Sequence, residues 1–340
     1  MEYTGLTGKY PVNRELTEQE REGRLRQKER LQIEPTHQLT IIKLNSTYLE
    51  LVDKYFSWKG FMTLFAFVAF LIVGGVSAYG THTVTQDAIN WNDPQDQPPW
   101  IYALILLLMS LFSVWAFVKV LRKESFAYTH YPARFNRQTR MVHVFRLDGT
   151  VLSASWDSVF FCLGSLRQGN WEIQGHVLAD DGVTVVETFC AFPQIGGSEF
   201  EREQLKSHWE YIRRYMEDGP EDAYQRTKIC LPIADRREKV SFGFHRMFTE
   251  GTGNLFTLLI AAVFGVAIMP GRWFAMQTSK IPQWPAEIEA VNKIEPGDPF
   301  VRDASMNEKW KELPDFVWLA ISAIFWAVVI YWVSGLEPWH

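Results

Sequence analysis

Four windows of this chain hold no charged residue over the length a bilayer demands: Gly60 to Gly80, Trp100 to Val118, Gly251 to Gly271 and Phe316 to Gly335. A hydrocarbon core takes about 20 apolar residues as a helix. One Lys or Asp at a span centre costs roughly 2.5–3.5 kcal/mol. The chain as a whole is 21% charged, so four such windows are a pattern and not an accident of composition. Trp58, Trp100, Tyr102, Trp273, Trp318, Tyr331 and Trp332 gather towards their ends, as an interfacial belt would. Mean hydropathy is still only -0.11, which requires large polar regions beside the spans. The expectation is an α+β membrane protein with four transmembrane helices.

Basic residues orient it. The loop Thr81 to Pro99 has no Lys or Arg, whereas Lys54, Lys59, Lys119, Arg122, Lys123, Arg236, Arg237, Lys239 and Arg246 border the other ends. The positive-inside rule puts those borders and both termini in the cytosol and leaves two loops outside. The second outer loop, 272–315, fits poorly, because it carries six Lys or Arg. The division that follows is a charged cytosolic segment at 1–59, a transmembrane hairpin at 60–123, a cytosolic β domain at 124–250, and a second transmembrane pair at 251–335. Cys162, Cys190 and Cys230 all fall on the cytosolic side, at spacings that match neither a disulfide framework nor a metal site. A net charge of -5 argues against nucleic acid as a partner.

Residues 124–250 alternate like a soluble sheet. Phe126 to Phe135, Met141 to Arg146, Val151 to Trp156, Ser158 to Leu163, Trp171 to Leu178 and Val183 to Phe189 read as strands. Asp148-Gly149 and Asp180-Asp181-Gly182 mark hairpin turns. Ser198 to Glu217 repeats Phe200, Leu205, Trp209, Ile212 and Met216 at helical spacing. Short antiparallel strands closed by one amphipathic helix predict a pleckstrin-homology-like barrel. In the N-terminal segment Thr17-Glu18-Gln19-Glu20 is a capping box opening a charged helix, which reads as a solvated face.

The stretch "YPARFNRQTRMVHVFRLDGTVLSASWDSVFFCLG", residues 131–164, with its flanking spans, resembles an uncharacterised family of bacterial inner-membrane proteins. Members of that family often sit near type VI secretion and Rhs-type polymorphic toxin genes. The resemblance implies a Gram-negative inner membrane and a role as an immunity or accessory protein for a secreted toxin. It implies no activity and no catalytic residues.

The residues themselves offer little chemistry. No G-x-S-x-G, H-E-x-x-H or phosphate-cradling loop occurs, and the histidines show no ligand spacing, so no catalytic residue, cofactor or metal is expected. Arg134, Arg137, Arg140 and Arg146 could meet lipid headgroups, against the plainer reading of strand-edge charges. Trp91, Asp93 and Asp96 in the first outer loop, and Trp284, Glu287, Glu289 and Trp310 in the second, pair aromatic anchors with carboxylates, which suits protein recognition. The functional expectation is a non-enzymatic immunity protein that binds a toxin through those loops. The alternative is an adaptor that recruits an effector or secretion component through the β domain.

Overall fold

The computed structural model describes residues 5–6, 8–92, 98–165, 169–190, 197–249, 255–308 and 314–334. Residues 1–59 are not a solvated arm. They supply β1 (Arg14–Glu15), α1 (Glu18–Glu22), β2 (Arg24–Leu25), β3 (Ile41–Leu44) and β4 (Tyr48–Leu51). The capping box is present: the Thr17 hydroxyl accepts from the Glu20 N–H, and the Glu20 carboxylate accepts from the Thr17 N–H. The helix ends after one turn at Gly23, which presses on the backbone of Leu163 and receives its N–H at 2.9 Å.

Next come α2 (Phe61–Ala69) and α3 (Gly75–Ile89), joined through a π turn at Phe70–Gly74 into one rod, and α4 (Trp100–Glu124), which returns beside it. The strands β5 (Ala133–Asn136), β6 (Met141–Phe145), β7 (Val151–Ser155), β8 (Phe160–Ser165), β9 (Trp171–Leu178) and β10 (Thr184–Phe189) follow close to the bounds the alternation predicts. Gly149 and Gly182 take the positive φ their hairpin turns need, +87° and +68°. Then come α5 (Glu199–Glu217), α6 (Pro220–Arg226), α7 (Val240–Thr249), α8 (Leu255–Thr278), α9 (Ala286–Val291) and α10 (Asp315–Ser334).

Two antiparallel five-stranded sheets result, in the orders β1-β10-β9-β8-β2 and β3-β4-β5-β6-β7. Among the described residues they do not close into the expected barrel, and each sheet keeps two edge strands. The strands of residues 1–59 extend both sheets, and the two share one core under α5. Trp156 stacks on Trp209 at 5.4 Å, Phe161 lies 5.0 Å from each, and all three are fully buried. Leu205, Ile212 and Met216 join them as the helical spacing predicts, but Phe200 points to solvent at the first turn of α5.

Three helices among the described residues are long and apolar enough to cross a membrane: the rod Phe61–Ile89, α4, and α10 through Trp332. Only 22%, 11% and 6% of their apolar windows are buried inside the protein. The sequence expects four spans, and the window at 251–271 is the one that differs. Its start, 251–254, lies outside the described residues. The second half of its helix, α8, is interior: Ile268, Met269, Ala275 and Met276 are buried, and Arg272 is ion-paired with Glu238.

The segment expected as an outer loop, 272–315, is folded onto the sheets instead. Lys280 bridges to Tyr128, and Leu44 exchanges backbone hydrogen bonds with Arg302 at 2.9 and 2.8 Å. The Asp298 carboxylate accepts from the Ser46 N–H and hydroxyl, both at 2.7 Å. Asn136 donates to Val291 and Asn292, and Asn307 pairs with the Cys230 backbone. This strap, 280–307, holds Lys280, Lys293 and Arg302, three of the six basic residues of 272–315, against the sheets. It also shortens β5, since Ala127 to Thr129 pair with Lys280 and not with a neighbouring strand.

Candidate functional site

The helices α2, α4 and α8 meet the sheets at one buried, charged joint. Lys59, 5% exposed, donates from Nζ to the carbonyls of Glu124 and Tyr128 at 2.8 and 2.7 Å, and so covers the negative end of α4. The Glu124 carboxylate turns inward to accept the N–H and hydroxyl of Thr63, both at 2.7 Å, which satisfies the open N-terminus of α2. Asp53, at the end of β4, accepts the N–H groups of Tyr131 and Tyr55 at 2.6 and 2.9 Å. Arg272 of α8 reaches across: Nε donates to Glu238 at 2.7 Å and Nη1 to the Phe56 carbonyl at 2.9 Å, with the guanidinium 5.0 Å above the Phe56 ring. Two glycines permit the approach. Gly60 has φ +97°, and any Cβ there would strike the Arg272 backbone; a Cβ on Gly271 would strike the Gly60 carbonyl.

Burial shapes the charges. It lowers Lys59 to about 8, with Glu124 and Asp53 opposing the shift, and it raises the Asp53 carboxyl above its usual range. Burial, helped by Lys59, holds His130 at about 3, so its ring is neutral. Asp53, Lys59, Lys123, Glu124, Thr129 and His130 line a cavity of about 10 Å³, the size of one water. Nothing in this set pairs a nucleophile with a base. Its chemistry is mechanical: it fixes the sheets to the bundle through charges that cannot separate cheaply in a dry interior.

The residues singled out from sequence are not brought together. Arg134 is 3% exposed, bonded to Glu50 at 3.0 Å and Glu289 at 3.1 Å, and held between the Tyr48 and Trp284 rings. Arg140 pairs with Asp157 and Glu217, Arg146 with Glu187, and Arg137 donates to the Ser46 carbonyl. All four arginines therefore have partners within the fold. Trp284 packs edge-on to Phe145 at 5.8 Å and donates to Glu50, so it anchors the strap. Glu287 is exposed and Trp91 is 37% exposed; Asp93, Asp96 and Trp310 lie outside the described residues. Cys162 and Cys230 are buried, and burial pushes the Cys230 thiol up to about 12. Among the described residues no group of three His, Cys, Asp or Glu could hold a metal. From sequence, Lys59 reads only as a span border and Glu124 carries no assigned role. Their partnership crosses 65 positions and leaves no local signal.

A profile described as a family of unknown function, DUF6708, matches residues 110–296, more than half of the chain. The chain belongs to DUF6708. The DUF6708 match runs from the middle of α4 through both sheets to the strap, and takes in Glu124, Glu238, Arg272 and Trp284. No curated protein and no solved structure matches the chain.

Proposed function

We propose that this DUF6708 member is a non-enzymatic, multi-pass membrane protein that presents its two-sheet domain at one membrane face as an adaptor for a protein partner. One observation carries the reading. The strap that would have been an outer recognition loop is spent on holding the sheets, so most folded, addressable surface lies on the side where α4 ends in Lys119, Arg122 and Lys123. Those charges make that side cytosolic by the positive-inside rule. The resemblance to inner-membrane proteins encoded near type VI secretion and Rhs toxin genes supplies the partner class, a secreted effector or a secretion component, and the membrane, a bacterial inner membrane.

Exposed apolar side chains on the sheet domain, Val186 at 46% and Phe200 at 63%, are natural contact points. Photo-cross-linking residues placed at these positions in the full chain should give discrete adducts with a co-expressed neighbouring effector, while one at Trp91 should not. The reverse pattern supports the toxin-blocking reading, which retains exposed Trp91 on the opposite side as its surface.

A further inference from the structure

We infer that the sheet-side end of α4 is a binding site for the headgroup of an anionic phospholipid; this rests on the reading that α4 crosses a membrane. Lys119, Arg122 and Lys123 stand at i, i+3 and i+4, so one helix face carries all three cations. All three are exposed, and none has a carboxylate partner among the described residues. Many other cations are committed within the fold. Lys54, Arg14, Arg134, Arg140, Arg146, Arg213 and Arg272 are all ion-paired. The nearest carboxylate in sequence, Glu124, is turned inward onto Thr63 and does not quench the face.

Depth and chemistry agree. The uncharged part of α4, Trp100 to Val118, rises ~28 Å at 1.5 Å per residue, close to the thickness of a hydrocarbon core. The three cations therefore emerge where phosphates lie. One turn deeper on the same face, Trp115 sits under the Lys119 ammonium at 5.5 Å and stacks on Phe112 at 5.5 Å. Both rings are more than half exposed, which offers a surface for an acyl chain below the charges. Just past the helix, Phe126 adopts φ +60°, a left-handed conformation that a phenylalanine rarely takes, and its ring is 57% exposed. It meets Phe274 edge-on at 6.0 Å, so the strained backbone holds an aromatic shelf at the level of the headgroups. The negative end of the helix, which would repel an anion, is already covered by Lys59.

The shared chemistry is a phosphate monoanion, and the experiment separates a lipid from a free phosphate. Full-length protein in neutral detergent is titrated with phosphatidylglycerol or with phosphatidylcholine of the same acyl chains, and bound lipid is counted by native mass spectrometry. Each basic residue near an anionic surface contributes about fivefold, so the wild type should prefer phosphatidylglycerol by at least about tenfold. K119Q/R122Q/K123Q should erase the preference, R122Q alone should reduce it by about fivefold, and both K119R/R122K/K123R and the remote K206Q should keep it. Equal binding of the two lipids by the wild type, or a preference that survives the triple glutamine variant, overturns the site. Displacement of the lipid by millimolar inorganic phosphate would overturn the lipid assignment in favour of a free-anion site. A chain that stays monodisperse without detergent would instead defeat the membrane reading beneath it.

Discussion

His130, His143, His176 and His208 are each at most 3% exposed, and burial holds their rings at about 3 or about 4, against an ordinary value near 6.5. A group whose folded value is depressed in this way resists protonation that the unfolded chain accepts. As pH falls from 6.5 towards 4, the unfolded state gains protons the native state refuses, and stability drops. Each histidine contributes up to ~1.4 kcal/mol per pH unit. Asp53 runs the other way, since its carboxyl is raised, but it is one group against four. Thermal midpoints should fall steeply below pH 6.5, and H176N/H208N should flatten that limb; a pH-independent midpoint between 6.5 and 4.5 would refute the assignment. The buried pair Lys54–Glu172 gives a second prediction. Both side chains are at most 1% exposed, and Tyr10 bonds to both. K54M or E172M alone leaves an unpaired interior charge and should cost about 3–5 kcal/mol, whereas K54M/E172M should recover much of it. Denaturation of the three variants decides the matter, because additive losses would mean the pair is not coupled.

Elements show where sequence is legible and where it is not. Strands β6 to β10 and helix α5 were readable because five or more residues of alternation, or five turns of helical spacing, expose a period. Two-residue strands such as β1 and β2 have no period to expose. They exist because Arg14 finds Val185 and Arg24 finds Cys162 across more than 130 positions. The same blindness hid the strap, whose hold comes from single side chains, Asp298, Asn292 and Trp284, meeting distant backbone. The candidate joint was legible only as a list of border charges. One consequence concerns the segment 124–250 taken alone. It would lack β1, β2, β3 and β4, leaving β10, β8 and β5 as raw edges over an opened core. It should aggregate or give poorly dispersed amide spectra, and a well-dispersed monomer would contradict the interdependence. In the full chain, W284A removes the cation–π contact at 4.6 Å, the Phe145 edge and the Glu50 bond. It should cost about 3 kcal/mol and speed proteolysis within the strap.

At the scale of the molecule, the joint decides which way the chain runs. Lys59, Glu124, Glu238 and Arg272 gather beside the sheets, and Asp315 accepts from the Ser241 N–H close by. The helix α10 then runs back along α8, with the Ser322 hydroxyl on the Val266 carbonyl at 2.6 Å and the Trp326 indole on Ala267 at 3.0 Å. Its 20 residues carry the chain ~30 Å away from the sheets. The helix α7 has only ten residues, about half a crossing, before α8 returns to the joint. On that geometry we propose three crossings, α2–α3, α4 and α10, beside an α7–α8 pair that does not cross. Three crossings predict that the residues before α2 and those after α10 lie on opposite faces, whereas the four-span expectation puts both in the cytosol. Charge agrees, since Arg272, Lys280, Lys293 and Arg302 lie with the sheets and not at the far ends of the helices. A reporter active only in the cytosol, fused after His340, should be silent, while the same reporter inserted at Gly182 should be active. A periplasm-dependent reporter should invert that pattern at both places. Cytosolic activity at both sites would mean that α8 crosses fully with the strap outside, an arrangement in which Trp284 could not touch Arg134.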